Sequence, residues 1–202
     1  VTHDSAMEVT RWKNLQLTGA VKQFFPLSDD WSLLWGLSGE AGSDPSAPLD
    51  PDRRAQIGGT DLYLKYRPLA DGRHTIVSLQ AEWFYRRRDG TGEPLHDTGG
   101  FAALFWRFAQ RWATAARWEL GTPTRNGAGT ITPAPCPTAD CVDGAFTADL
   151  QRISANITFW PTEFSRLRLQ GATTLPGGGG DPQWSVLTAF EFAVGAHGAH
   201  AF

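Results

Sequence analysis

The chain has no run of about 18 apolar residues, so no stretch of it reads as a membrane-spanning helix. That absence leaves a membrane barrel open. Barrel strands alternate apolar and polar side chains and keep the mean hydropathy low; here it is -0.30. Basic residues are not in excess. Eighteen Lys and Arg against 21 Asp and Glu give a net charge of -3, so no nucleic-acid footprint is visible. The two cysteines, Cys136 and Cys141, lie in a Pro- and Gly-rich stretch. Two thiols make half a zinc ligand set, so no metal and no other cofactor is expected. A local disulfide in an oxidising compartment is preferred to two thiols. No secretory leader opens the sequence at Val1, so a removed leader or a start inside a longer protein is expected. His3, His74 and His96 are scattered, no Ser stands in a suggestive setting with a His, and no enzyme is expected.

What is abundant is Trp, nine residues, and Gly, 22 residues, in a chain of 202 that forms one domain. The tail sets the pattern. Trp184, Val186, Thr188, Phe190, Phe192 and Val194 alternate with Ser185, Leu187, Ala189, Glu191, Ala193 and Gly195, and the chain stops on Phe202. Period two is the signature of a strand. The same alternation predicts strands at Arg11–Phe25, Trp31–Glu40, Thr60–Arg67, His74–Arg87, Gly100–Gln110, Trp112–Leu120, Ala148–Trp160 and Phe164–Thr173. About nine strands and no helix result.

The predicted links alternate in length. Pro26–Asp30, Leu69–Arg73, the position of Arg111 and Pro161–Glu163 are short; Ala41–Ile57, Arg88–Gly99, Gly121–Phe146 and Leu175–Gln183 are long. An up-and-down barrel has this asymmetry, with short periplasmic turns and longer extracellular loops, and a Greek-key sandwich does not. Tryptophans sit at predicted strand ends: Trp31, Trp106, Trp112 and Trp160 beside short links, Trp12, Trp83, Trp118 and Trp184 beside long ones. Indoles favour the bilayer interface, so two girdles are expected, with Trp35 the exception. The polar faces carry Lys22, Glu40, Asp61, Lys65, Arg67, Glu82 and Arg86, then Arg107, Arg117, Glu119, Arg152, Arg166, Arg168 and Glu191. Charges of both signs on one face suit a watery lumen, or the solvated face of a soluble sandwich.

The expected fold is therefore all-β: an antiparallel up-and-down transmembrane β-barrel. Nine strands would put the chain ends on opposite sides of the membrane and leave an edge unpaired. The sequence thus reads as the C-terminal portion of a larger barrel.

Several segments carry a family resemblance: Trp35-Gly-Leu-Ser-Gly39, Gly59-Thr-Asp-Leu-Tyr-Leu-Lys-Tyr-Arg-Pro68, the strand holding Glu82, Gly99 to Trp112, Pro161-Thr-Glu-Phe-Ser-Arg-Leu-Arg-Leu-Gln170 and Gly195-Ala-His-Gly-Ala-His-Ala-Phe202. Together they resemble the C-terminal half of proteobacterial outer-membrane barrels known as TonB-dependent or zinc-regulated receptors, which are similar to phosphate-selective porins. The tail departs from that pattern at Ala201, where the family usually has Pro. The resemblance implies an outer-membrane location, lipid contact, and assembly through the terminal strand and Phe202.

The function expected first is a passive pore or uptake channel for small, anion-leaning solutes, because Lys and Arg outnumber Asp and Glu on the polar faces. Arg152 would join Arg166 and Arg168 in a basic cluster if the strands pair in register; alternatively these arginines pair with Glu119, Glu163 or Glu191 and hold the wall. A receptor for a metal or chelate is the second reading, resting on the family label and on the histidines, chiefly His197 and His200. A soluble β-sandwich binding module is the third.

Overall fold

The computed structural model describes residues 15–44, 52–69, 74–90, 93–130 and 148–193. These form nine strands: β1 (Leu17–Pro26), β2 (Trp31–Ser43), β3 (Arg54–Tyr66), β4 (Ile76–Asp89), β5 (Pro94–Ala109), β6 (Trp112–Gly121), β7 (Leu150–Thr162), β8 (Ser165–Pro176) and β9 (Gln183–Phe192). All nine belong to one antiparallel sheet, each beside its sequence neighbour. A two-sheet sandwich does not form among the described residues. Among them, β1 pairs with β2 alone and β9 with β8 alone.

Ser28 shapes the first hairpin. Its Oγ accepts from the N–H groups of Asp30 and Trp31, at 3.3 and 3.2 Å. Asp30 then ties this turn to the end of β3: its carbonyl accepts the Arg67 N–H and its Oδ1 the Leu69 N–H, each at 2.8 Å. At the same end of the sheet, β5 and β6 are joined through residues 110–111, and β7 and β8 through 163–164. Register shifts lie beside both links, between Arg107 and Ala109 and between Phe159 and Thr162. Extra residues of this kind bend a strand into a tight corner.

The opposite end differs from expectation. Strand β4 runs to Asp89 and β5 begins at Pro94, so most of the 88–99 stretch is a paired hairpin rather than a long loop. Strand β2 extends to Ser43 and β3 begins at Arg54, inside the stretch read as loop up to Ile57. The four-glycine stretch folds into a short 3-10 turn, Gly177–Gly179, where Gly178 and Gly179 take positive φ. Alternation is a signal of one wet and one dry face. Where both faces of a strand are polar, pairing continues but the signal disappears.

Register decides which side chains share a face. Leu33, Leu64, Leu79 and Leu104 stand opposite one another across β2 to β5, and Phe25 and Ala116 continue the row on either side. Every ladder preserves this parity. The result is one apolar face running through all nine strands, with Arg54, Arg87 and Asp89 confined to its long-link end.

Burial on this sheet is inverted relative to a soluble domain. Along β7, Gln151, Ile153, Ala155 and Ile157 are exposed, while Ser154 and Thr158 on the other face are buried. Among the described residues the buried hydrophobic ones are two alanines, Ala113 and Ala172, and both lie on the polar face. The polar side chains thus crowd one another on one side of the sheet, and the large apolar ones point to the other.

Candidate functional site

The charged face is the candidate site. Strand parity places Lys22, Lys65, Glu82, Arg86, Arg107, Arg117, Glu119, Arg152, Arg166, Arg168 and Glu191 together on it, with Glu40, Asp61, Arg88 and Asp97. Arg67 follows the end of β3. Trp12, Cys136, Cys141, His197, His200 and Phe202 lie outside the described residues.

Most of these charges are paired. Lys22 Nζ on β1 reaches across β2 to Asp61 Oδ2 on β3, at 3.1 Å. Arg117 meets Glu119 at 2.9 Å, and Arg152 meets the same carboxylate from β7 at 3.8 Å. Arg166 is paired with Glu191. The Arg117 guanidinium also lies 3.8 Å from the centre of the Phe101 ring, a cation–π contact on the same face.

The densest network was not foreseen from sequence. Asp97 on β5 accepts a two-pronged contact from Arg86 on β4, Nε to Oδ1 and an Nη to Oδ2, both 2.9 Å. Thr124, just after β6, donates its hydroxyl to Oδ2 at 2.9 Å and accepts from the Arg88 guanidinium at 2.8 Å. Arg88 is 5% exposed, among the most buried side chains in the structure. Beyond the end of β6 the chain keeps following β5: His96 and Arg125 exchange backbone bonds of 2.8 Å, and the Thr122 N–H donates to Thr98. Reading 88–99 as loop hid both Arg88 and Asp97. Alternation gave no clue there, since Arg86, Arg87 and Arg88 put the same side chain on both faces.

Two expectations change with the register. Arg152 does not join Arg166 and Arg168, because Arg152 stands opposite Thr174 while Arg168 stands opposite Thr158, six residues along the strand. The alternative pairing forms instead, with Glu119 and Glu191 as acceptors. Trp35, which looked misplaced, shares one cross-sheet row with Trp118 and Trp184 on the apolar face, and Trp31 shares another with Trp106. The two rows are four residues apart, roughly 13 Å along a strand. Trp83 lies one side-chain step beyond the first of these rows, and Trp112 stacks on Phe159 at 4.5 Å near the short links. Trp160 stands apart from them, with the Arg107 guanidinium 5.7 Å from its ring centre.

Among the described residues no three His, Cys, Asp or Glu side chains converge as a metal site. A depression of about 430 Å³ lies beside β1 on the charged face, lined by Thr18, Ser38, Glu40, Ile57 and Phe84 among others.

The chain is similar over its whole length to an uncharacterized protein of Aquifex aeolicus, at 29% identity, and spans 44% of that protein. A second similarity, 31% identity over 80 residues, covers 40% of this chain and 28% of a diaminopimelate epimerase of Streptomyces coelicolor. The chain thus spans less than half the length of either relative. No family model matches. No solved structure matches.

Proposed function

We propose that this sheet is part of a bacterial outer-membrane β-barrel that forms a passive pore or uptake channel for small solutes, with a bias toward anions. One observation carries this reading: nine strands expose a continuous apolar face while the opposite face gathers the ion pairs. In water such a face would be far larger than the few hundred Å² of apolar patch a soluble monomer tolerates. Against hydrocarbon chains it is the solvated surface, and the charged side becomes the wall of an aqueous lumen. Trp31, Trp106, Trp118 and Trp184 all belong to that face, where the indoles of such a barrel would meet lipid.

The edges fit the same reading. Among the described residues the outer edges of β1 and β9 have no partner strand, and in lipid such edges would be costly, so this reading calls for further strands to complete the wall. The Aquifex relative has length to spare beyond the segment matched here. The segments resembling outer-membrane receptors and porins add to the proposal.

Fractionation of cells making the full-length protein tests it. The protein is expected in the outer-membrane fraction, resistant to alkaline extraction. Its tryptophan fluorescence in vesicles is expected to be quenched by brominated lipid chains, and planar bilayers are expected to show discrete conductance steps. A protein that stays soluble without detergent and shows no lipid quenching would refute the membrane assignment.

A further inference from the structure

Charge on the polar face changes along the strand direction. One row in from the Arg166–Glu191 pair, three consecutive cross-sheet rows hold Arg107 with Arg168, then Lys65, then Arg117, and no carboxylate. The next row is mixed: Asp61, Glu82 and Glu119 share it with Lys22 and Arg152. On the other side of the basic rows, Glu191 is held by Arg166. Arg117 leans back to Glu119. Arg107 and Arg168 have no ion-pair partner among the described residues, and the Nε of each is buried without a hydrogen-bond acceptor.

These two arginines belong to a single row, Arg107–Ala113–Thr158–Arg168, across β5 to β8. Between them, Ala113 is 1% and Thr158 3% exposed, so neighbouring side chains close over both. Arg107 spends one Nη on the Gln110 carbonyl at 2.5 Å and rests against Trp160. A partly buried guanidinium left without an anion is costly, and here two occur in one row.

We infer that Arg107 and Arg168 bind a small dicarboxylate, one guanidinium to each carboxylate; this rests on the charged face being the lumen of the proposed channel. A guanidinium fork matches one planar carboxylate. Three inter-strand steps separate β5 from β8, roughly 14 Å along the sheet. That span suits two carboxylates joined by a short carbon stem better than one tetrahedral oxyanion shared by both forks.

Succinate, added to the full-length protein in detergent, tests the site without requiring conduction. A saturable change in tryptophan emission is expected, and it should vanish in Trp160→Phe. Arg168→Gln and, separately, Arg107→Gln should weaken succinate binding by about tenfold or more, the loss of a charge-assisted contact. Arg125→Gln, outside the basic rows and in a half-exposed pair with Asp149, should change it less than about twofold. Acetate should bind at least about tenfold more weakly than succinate, because it engages one fork. No saturable change, equal binding by both arginine variants and the parent, or phosphate binding as tightly as succinate would overturn the assignment. Conductance without succinate binding counts against the site alone; succinate binding without conductance counts against the channel alone.

Discussion

Gly36 faces Asp61 directly across the β2–β3 ladder, and the missing side chain at Gly36 is what gives the Asp61 carboxylate its place. From there Asp61 passes over β2 to Lys22 on β1. A methyl group at position 36 would overlap the carboxylate. The glycine is therefore required by packing on the charged face, since its φ is not positive.

Gly36→Ala is expected to destabilise the folded protein by about 1 kcal/mol, because the Asp61 carboxylate, the free end of its side chain, can turn aside at the loss of its Lys22 pair. That pair, with Lys22 more than half exposed, contributes under about 1 kcal/mol. In an Asp61→Ala background the Gly36→Ala cost should fall to about zero, because nothing remains to collide with. Urea unfolding of the detergent-folded protein measures all three. Equal cost in both backgrounds would show that Asp61 is not what Gly36 accommodates.

The Asp97 network makes a second, larger prediction. Its carboxylate is 13% exposed and serves Arg86, Arg88 and Thr124 together. Asp97→Ala removes the acceptor and leaves the buried Arg88 charge short of compensation, so a loss of about 3 kcal/mol or more is expected. Arg125→Ala breaks only the half-exposed pair with Asp149 and should cost less than about 1 kcal/mol. Comparable losses in the same urea assay would mean that Asp97 acts as an ordinary surface charge.

Period-two alternation was enough to locate the strands because each carries a dry face, and enough to group the charges because antiparallel ladders conserve parity across the sheet. Register was not legible. Whether Arg152 meets Arg168 or Glu119 depends on how many residues each hairpin consumes, and local pattern is silent on that. Trp35 shows the same limit: judged by distance from a strand end it was an outlier, judged by its row it sits with Trp118 and Trp184. The Arg88–Asp97 contact was hidden for a different reason. Beyond the apolar band both faces of β4 and β5 are polar, so composition resembles a loop while the backbone stays paired.

The last prediction asks which medium wets the apolar face. Leu79 and Gln80 are adjacent on β4 and point to opposite sides; Leu79 is 38% exposed with Leu64 and Leu104 beside it, and Gln80 is exposed too. If that face meets water, an Arg is tolerated equally at both positions, since both are accessible. If it meets hydrocarbon, Leu79→Arg is expected to cost about 2–4 kcal/mol in vesicles, the penalty for a cation near the bilayer midplane, whereas Gln80→Arg should stay within about 1 kcal/mol of the parent. The difference should shrink in detergent micelles, which deform around a charge more readily than a bilayer does. Reversible urea unfolding in thin-bilayer vesicles reads both variants. Equal stability of the two would remove the lipid-facing assignment, and the channel proposed from it would fall as well.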